Sequence, residues 1–273
     1  MKLAIDLGGT NIRIAQVENR TILNKNSIPC FSTGSEEQVL SQLYTLIDSM
    51  MNSDVEGIGI GVPSVIDHKK GIVYNVMNIP SWQEVALKDI LQQRYNVPVE
   101  VNNDSNCFAL GEKLYGQGIN FANLVGVTLG TGVGAGIIIN NQLYCGDNTG
   151  AGEIGSLSYL DSDFEHYCSS SFFVDYYQMT GKGAYEKAVE GDAKALMVWN
   201  EFGKHLGNLV KVILYAYDPT AIIFGGSISA AFPFFIHSLR KNIVDFPYEK
   251  SLNNVHLLST INSDISILGA SAL

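Results

Sequence analysis

Apolar residues near the start of the chain predict a short buried strand that ends in a polar turn. Residues 3–5 form the apolar run, and Asp6-Leu7-Gly8-Gly9-Thr10-Asn11 follows them. From Ile12 to Val17 the side chains alternate between two faces, which predicts a second strand leaving the turn. Glycine accepts positive φ at little steric cost, so Gly8 and Gly9 suit a tight hairpin.

The same pattern recurs near the middle of the chain. Residues 124–129 predict a strand, Gly130-Thr131-Gly132-Val133-Gly134 a glycine turn, and residues 135–139 a returning strand. This indicates an internal repeat of the first hairpin. Residues 124–146 carry no charge, but the glycines divide them into strand-sized pieces, which favours a buried hairpin over a membrane span. A third glycine pair, Gly225-Gly226, follows an apolar strand.

Helical spacing of apolar residues predicts helices between these strands. Ser35-Glu36-Glu37-Gln38 is a capping-box pattern before a helix of about four turns. Further helices are predicted near 87–94, 105–115, 192–218 and 264–273, and we expect the last to pack against the first half. The segment from Pro63 to Asp67 is predicted to be a loop. Strands that alternate with helices indicate an α/β fold.

Composition narrows the class of protein. A chain of 273 residues allows about two domains, and 46% hydrophobic with 16% charged residues excludes general disorder. The net charge of −10 without a Lys/Arg run argues against nucleic acid or an anionic membrane as a partner. The four cysteines form no C-x-x-C pair, so neither a zinc knuckle nor a disulfide framework is suggested. We expect no signal peptide and a cytoplasmic location.

Carboxylates stand at the ends of two predicted strands. Asp6 lies beside a glycine hairpin, and a carboxylate next to free backbone N–H groups suits a nucleotide phosphate with its Mg²⁺. The alternative is an ordinary hairpin with a polar turn. Asn103 and Asp104 follow the strand that begins at Val99, at the strand end where ligands collect in α/β folds. The alternative is that Asp104 or Ser105 simply caps the next helix.

These pieces favour phosphoryl transfer. The chain has no G-x-x-x-x-G-K-[ST] and no kinase H-R-D set, but it has three glycine turns and acidic residues at strand ends. Phosphoryl transfer needs positioning, charge neutralisation and an acceptor for the nucleophile's proton. Asp6 can hold the metal, Asp104 can take the proton, and Asn103 with Glu153 can hydrogen-bond a polyol.

Seven stretches of the sequence together resemble the ordered motif set of the ROK (repressor, open reading frame, kinase) sugar kinases. They are Asp6-Leu7-Gly8-Gly9-Thr10-Asn11, Gly61-Val62-Pro63-Ser64, Asn78-Ile79-Pro80-Ser81-Trp82, Asn102-Asn103-Asp104-Ser105-Asn106, Leu129-Gly130-Thr131-Gly132-Val133-Gly134, Gly150-Ala151-Gly152-Glu153-Ile154-Gly155 and Phe224-Gly225-Gly226. One such motif is weak, whereas seven in order are specific.

The resemblance implies the two-domain α/β fold of the actin-like ATPase superfamily, which is ribonuclease H-like and has a central cleft. We expect an N-terminal domain over 1–108, completed by the C-terminal helix at about 262–273, and a second domain over 109–261. The implied activity is transfer of the γ-phosphate of ATP to a hexose hydroxyl, usually the 6-hydroxyl, with ATP and Mg²⁺ as cofactors. A homodimer is common among relatives.

The resemblance also implies roles for individual residues. Asp104 is the expected catalytic base, and Asp6 lies near Mg²⁺, directly or through water. The expected ATP-binding residues are Asp6, Gly8, Gly9, Thr10, Asn11, Gly130, Thr131, Gly132, Gly134, Gly225 and Gly226. The expected sugar-binding residues are Gly61, Asn78, Asn103, Asp104, Glu153 and Ser156.

Two departures from the family pattern bear on the substrate. The family has Glu-x-Gly-His, where the histidine contacts sugar and often zinc, but this chain has Ser156 at that place. The cysteine-rich zinc segment is replaced by residues 164–171, so we expect no zinc site. A sugar-binding glutamate that follows the last family cysteine has no clear counterpart. The sequence does not identify the sugar.

Two other functions compete with the kinase. One is a transcriptional repressor of the same family, which senses sugar without phosphorylating it and carries an N-terminal helix-turn-helix domain. The start at the first phosphate-loop strand and the acidic charge argue against DNA binding. The other is a catalytically silent sugar-binding or chaperone-like ATPase. The presence of both Asp6 and Asp104 argues against it.

Overall fold

A computed structural model describes residues 1–148 and 150–273. Its chain divides into two compact units, which are described separately below. Unit 1 comprises Met1–Ile119, Gln142–Ala151 and Asn262–Leu273, and unit 2 comprises Asn120–Asn141 and Gly152–Ile261.

The strands of the described residues are, in chain order, β1 (Lys2–Leu7), β2 (Asn11–Glu18), β3 (Thr21–Pro29), β4 (Gly57–Val62), β5 (Val65–Asp67), β6 (Ile72–Tyr74), β7 (Glu84–Val85), β8 (Val99–Asn103), β9 (Leu124–Leu129), β10 (Val133–Ile139), β11 (Gln142–Tyr144), β12 (Ser158–Tyr159), β13 (Ser162–Asp163), β14 (Ala221–Gly225) and β15 (His256–Ser259).

The helices are α1 (Glu36–Asp48), α2 (Leu87–Tyr95), α3 (Asp104–Tyr115), α4 (Phe164–Cys168), α5 (Ser170–Tyr177), α6 (Gly181–Val189), α7 (Ala193–Tyr217), α8 (Phe232–Asn242), α9 (Glu249–Asn254) and α10 (Ile265–Ala270), with short 3₁₀ helices at Ile154–Ser156 and Ser227–Ala231.

Unit 1 is built on a five-stranded sheet in the order β3-β2-β1-β4-β8. β1 pairs antiparallel with β2 and parallel with β4, and β4 pairs parallel with β8. The buried face of α1 packs in the same hydrophobic core as these strands, and the predicted capping box at Ser35 is present. The prediction of a loop from Pro63 to Asp67 is wrong in part, because Val65–Asp67 pairs with β6 as a strand of a small second sheet.

The closing helix α10 packs on α3 and on the strands β1 and β4, as the sequence predicted. The approach is close enough to require glycine in β4. A Cβ atom on Gly59 would lie 1.8 Å from the carbonyl oxygen of Ala270. The last residues of the chain therefore complete the core of unit 1.

In unit 2, the strands run in the order β10-β9-β14-β15, with β9 antiparallel to β10 and the other pairs parallel. This matches the order β2-β1-β4-β8 of unit 1, which supports the predicted internal repeat.

The long helix α7 begins at its predicted cap, where Asp192 accepts a hydrogen bond from the Ala195 amide at 2.7 Å. The core of this unit gathers many aromatic side chains around Trp199 and Phe202.

Candidate active site

The polar residues of unit 1 meet at one edge of its sheet because three parallel strands end there in register. Asp6 of β1 lies opposite Gly61 of β4, and Gly61 lies opposite Asn102 of β8. Asn103 is the last residue of β8, and Asp104 is the first residue of α3. The sheet therefore brings Asp104, the predicted base, and Asp6, the predicted magnesium ligand, to the same edge.

Asn103 fixes the start of α3. Its Oδ1 accepts hydrogen bonds from the amides of Ser105 at 2.8 Å and Asn106 at 3.3 Å, and its Nδ2 donates to the Ser64 carbonyl at 3.1 Å. The alternative that Asp104 or Ser105 is the cap is therefore wrong, because Asn103 holds that position. Asp104 instead sits in the first helical turn, where its Oδ1 accepts from the Ser105 amide at 2.7 Å.

The first glycine turn is a tight hairpin, as predicted. The Gly8 amide donates to the Asn11 carbonyl at 2.9 Å, and Thr10 and Asn11 are exposed. A Cβ atom on Gly9 would lie 2.3 Å from Cβ of Asn78, so only glycine fits at that position. The structure thus places Asn78 directly against the first turn.

Arg13 contacts the candidate site, and the sequence analysis did not identify it. It lies opposite Asp6 in the β1–β2 register, and its Nε donates to Asp6 Oδ2 at 3.0 Å while its Nη2 bonds to the same oxygen. The signal was present in the sequence, because a hairpin that turns at Gly8 and Gly9 pairs residues 6 and 13. The guanidinium partly neutralises the carboxylate at the end of β1.

Cys107 reports the negative charge that accumulates at this edge. It is 1% exposed, and a Cβ atom on Gly61 would lie 3.2 Å from its Sγ. The pKa of the Cys107 thiol is raised well above its ordinary value, first by burial and then by the charges of Asp104 and Asp6. A region of this charge favours a bound cation or a proton.

The second glycine turn, between β9 and β10, is held by hydrogen bonds within unit 2. The Gly130 amide donates to the Gly132 carbonyl at 3.0 Å, and the Ser170 amide donates to the Gly130 carbonyl at 2.8 Å. Thr131 is exposed at the tip of the turn, and the Gly134 carbonyl is 3.4 Å from Thr128 Oγ1. The predicted turn residues therefore lie together.

Glu165 is a second residue at the candidate site that the sequence analysis did not identify. Its Oε2 accepts a hydrogen bond from the Val133 amide at 3.0 Å, and a Cβ atom on Gly132 would lie 2.4 Å from that oxygen. No sequence pattern pointed to this contact, because 32 residues separate Glu165 from Val133. The carboxylate lies directly against the glycine turn.

Glu153 immediately precedes the 3₁₀ helix Ile154–Ser156, and both Glu153 and Ser156 are exposed residues. The pKa of the Glu153 carboxyl is raised, first by desolvation and second by the negative charge of Glu165. The two glutamates are therefore electrostatically coupled. The residue before Glu153 must be a glycine, because Gly152 has φ +90° and a Cβ atom there would lie 2.1 Å from the Ala135 carbonyl oxygen.

The third glycine pair ends the strand β14. Gly225 is buried and lies opposite Thr128 of β9, so the third turn starts beside the second. Gly226 has φ +82°, and a Cβ atom there would lie 2.2 Å from the Leu129 carbonyl oxygen. The predicted site residues of unit 2 thus lie around the ends of β9 and β14.

The structure carries two further observations on metals and membranes. Among residues 1–148 and 150–273, no group of three or more His, Cys, Asp or Glu side chains could hold a metal ion by itself. In the same part of the chain, no helix is both long and apolar enough to cross a membrane.

Known proteins are similar to this chain over nearly its whole length. The model of the ROK family matches residues 2–273. A glucokinase of Halalkalibacterium halodurans is 27% identical and covers 98% of this chain and 92% of its own. A xylose repressor of Bacillus subtilis is 32% identical over 88% of this chain and 66% of its own.

A solved structure extends the likeness to three dimensions. The ROK family glucokinase from Streptomyces griseus, in complex with glucose and AMPPNP, has a TM-score of 0.86 and 25% identity, and covers 99% of this chain and 98% of its own. This likeness confirms the predicted α/β fold of the actin-like ATPase superfamily.

Proposed function

The chain belongs to the ROK family, and from that premise we propose that it is an ATP-dependent sugar kinase. The proposed reaction transfers the γ-phosphate of ATP to a hydroxyl of a hexose, such as glucose, fructose or an N-acetylhexosamine, with the 6-hydroxyl as acceptor. The observation that carries this proposal is the register of β1, β4 and β8, which puts Asp6 and Asp104 at one sheet edge. The relatives named glucokinase support it.

Asp104 is the proposed general base. It takes the proton from the sugar hydroxyl as that oxygen attacks the γ-phosphorus, and base catalysis of this kind contributes roughly 10²–10⁴-fold. Asn103 supports this role, because its two hydrogen bonds to backbone amides fix the first turn of α3 and with it the position of Asp104.

The glycine turns are the proposed phosphate-binding elements. Backbone N–H groups of a turn provide donors for phosphate oxygens. The turns are residues 8–11 in unit 1 and residues 130–134 in unit 2, and Gly225 with Gly226 is proposed to lie against the adenosine. The amides of Gly8 and Gly130 already donate to carbonyls of their own turns, and the Val133 amide donates to Glu165. The proposed phosphate donors are therefore the remaining amides of the two turns.

The residues present fit a magnesium ion that accompanies ATP. Mg²⁺ in such sites is held by one or two carboxylates together with substrate phosphates, so a cage of three protein ligands is not required. Asp6 would hold the ion, directly or through water, and Arg13 shares the same carboxylate. When bound, the ion neutralises charge on the phosphates.

Sugar binding is assigned to Gly61, Asn78, Asn103 and Glu153, with Ser156 at the place of the family histidine. The raised pKa of Glu153 suits a carboxyl that exchanges hydrogen bonds with hydroxyl groups. The domain division at 108/109, a cytoplasmic location and a homodimer also stay proposals that follow from the family.

The test is ADP formation from Mg-ATP with a panel of hexoses and N-acetylhexosamines. We expect one sugar to drive turnover and Asp104→Asn to lower kcat by about 10²-fold or more. Asp89→Asn is the matched control, because Asp89 is an exposed aspartate in the first turn of α2. Turnover that persists in Asp104→Asn would refute the assignment of the base.

A sugar sensor without kinase activity is the second candidate. It is favoured by the 32% identity to the xylose repressor of Bacillus subtilis and by Ser156. The same panel separates the two functions, provided that sugar binding is measured in parallel by calorimetry. If a sugar binds but causes no ADP formation from Mg-ATP, the sensor is supported. Sugar-dependent ADP formation would exclude the sensor.

A further inference from the structure

Arg13 is a charged residue of unit 1 to which the proposed function assigns no chemistry of its own. It lies on β2 opposite Asp6 of β1, and Asp6 in turn lies opposite Gly61 of β4. Residues that face each other across neighbouring strands point to the same face of a sheet. Arg13, Asp6 and Gly61 therefore stand side by side on one face at the sheet edge.

The start of α3 lies over the far end of this row. A Cβ atom on Gly61 would lie 3.5 Å from the Cα atom of Asp104. Asp104, the proposed base, thus flanks Asp6 on one side, and Arg13 flanks it on the other. In phosphoryl transfer the attacking and leaving oxygens are roughly in line. A base at one end of the row therefore puts the leaving group toward the other end, where Arg13 stands beside the proposed phosphate turn 8–11.

The guanidinium of Arg13 uses only one of its edges for Asp6. Its Nε donates to Asp6 Oδ2 at 3.0 Å, and its Nη2 bonds to the same oxygen. Among the described residues, its Nη1 reaches only the Ser263 carbonyl, at 3.5 Å, which is long for a hydrogen bond. A guanidinium carries five N–H donors in a fixed fork, and the Arg13 side chain is 38% exposed. The edge formed by Nη1 and the second N–H of Nη2 can therefore accept a ligand.

The same pairing leaves one oxygen of Asp6 unused. Both donors of Arg13 go to Oδ2, and Oδ1 accepts no hydrogen bond within the part of the chain that the structure describes. The carboxylate can thus keep the guanidinium on Oδ2 and hold a magnesium ion through Oδ1. Arg13 does not have to leave Asp6 for the site to be loaded.

We propose that Arg13 is a catalytic residue of the kinase and contacts the phosphates of ATP, an inference that rests on the proposed function. Nε and Nη2 stay on Asp6, while Nη1 and the second N–H of Nη2 donate to oxygens of the β-phosphate. The sugar hydroxyl gives its proton to Asp104 and forms the new bond to the γ-phosphorus. The bond from that phosphorus to the bridging oxygen breaks, and its electron pair stays on the leaving ADP. The guanidinium neutralises this charge, which is larger in the transition state than in bound ATP.

The kinetics of Arg13→Gln separate this role from a role in holding Asp6 alone. At saturating sugar, Mg²⁺ and ATP, we expect kcat to fall by about 10²-fold or more, because an arginine at the transferred phosphoryl group contributes roughly 10³–10⁵-fold. The KM of the sugar should stay unchanged. A wild-type kcat together with a lower Mg²⁺ requirement would show that Arg13 only competes for Asp6, and would overturn the proposal.

Two further variants sharpen this result. Arg13→Lys should recover only part of kcat, because an ammonium is a point charge without two donor edges, and full recovery would overturn the two-edge contact. Arg94→Gln is the matched control, since Arg94 of α2 pairs with Asp48 at 3.1 Å and is 45% exposed. An equal fall of kcat in Arg94→Gln would reduce the effect to the loss of an ion pair and overturn the proposal.

Calorimetry measures the phosphate contact without turnover, with Mg-AMPPNP and AMP as probes. We expect Arg13→Gln to bind Mg-AMPPNP about tenfold more weakly than Arg94→Gln does, because one charge-assisted hydrogen bond is lost. AMP should bind both variants equally, since it lacks the β- and γ-phosphates. Equal weakening of AMP and Mg-AMPPNP in Arg13→Gln would indicate a disturbed fold in place of a phosphate contact, and would overturn the proposal.

The two readouts keep this inference separate from the proposed function. If the wild-type chain forms ADP with a sugar and Arg13→Gln does so equally well, the inference fails and the kinase proposal stands. If the wild-type chain forms no ADP with any sugar, the kinase proposal fails and calorimetry alone tests the phosphate contact. Weaker binding of Mg-AMPPNP by Arg13→Gln then supports that contact, and unchanged binding overturns it.

Discussion

Replacement of Asn103 tests whether one side chain both starts α3 and ties it to the neighbouring loop. In Asn103→Ala, the amides of Ser105 and Asn106 lose their hydrogen bonds to Asn103 Oδ1, and the Ser64 carbonyl loses the bond from Asn103 Nδ2. The Ser105 amide keeps its bond to Asp104 Oδ1, so the lost cap falls mainly on the Asn106 amide. In Asn103→Ser, a hydroxyl can still accept from the helix amides, because serine caps helices as well as asparagine does. Serine is too short to reach Ser64 as well.

The expected losses follow from these contacts. Removal of a cap costs about 1 kcal/mol, within a range of about 0.5–2. Removal of the bond to Ser64 adds about 0.5–1.5 kcal/mol. We therefore expect the free energy of unfolding of unit 1 to fall by about 2 kcal/mol in Asn103→Ala and by about 1 kcal/mol in Asn103→Ser.

Tryptophan fluorescence during urea unfolding measures this loss in unit 1 alone. The chain has two tryptophans, and Trp82 is buried in unit 1 while Trp199 is buried in unit 2. A Trp199→Phe background leaves Trp82 as the reporter. Ser35→Ala, which removes the cap of α1, is the control for loss of a cap alone. Equal stability of Asn103→Ala and Asn103→Ser would refute the separation into two contributions.

Two further predictions concern charge and packing. The raised pKa of Glu153 means that the folded state binds its proton more tightly than the unfolded state. The free energy of unfolding should thus fall as the pH rises from the ordinary glutamate pKa of 4.5 through the raised value. Glu153→Gln should flatten this slope in urea midpoints across that interval, and an unchanged slope would contradict the raised pKa of Glu153, which desolvation causes first and Glu165 second. Gly59→Ala should cost about 1–3 kcal/mol because its Cβ meets Ala270. Gly57→Ala should cost less, since its nearest atom is 3.3 Å away, and equal costs in urea unfolding would count against the close packing of α10.

Local sequence patterns were sufficient to predict the helix caps and the glycine hairpins, because these elements depend on interactions between residues close in sequence. The capping box at Ser35 and the cap at Asp192 are satisfied by residues three positions later. The two glycine hairpins form because alternating apolar residues flank turns that tolerate tight backbone geometry. The strand Val65–Asp67 was missed because its stability comes from pairing with β6, and such pairing is not visible in three residues.

The sequence by itself determined the family, the glycine hairpins, the main helices and the residues that stand at the strand ends, because each of these depends on a contiguous stretch of chain. Only the tertiary structure decided which of those residues share a sheet edge. Parallel pairing aligns Asp6 with Gly61 across a separation of 55 positions. It also decided that Glu165 lies on the glycine turn, since a contact between distant segments follows from packing and leaves no local pattern.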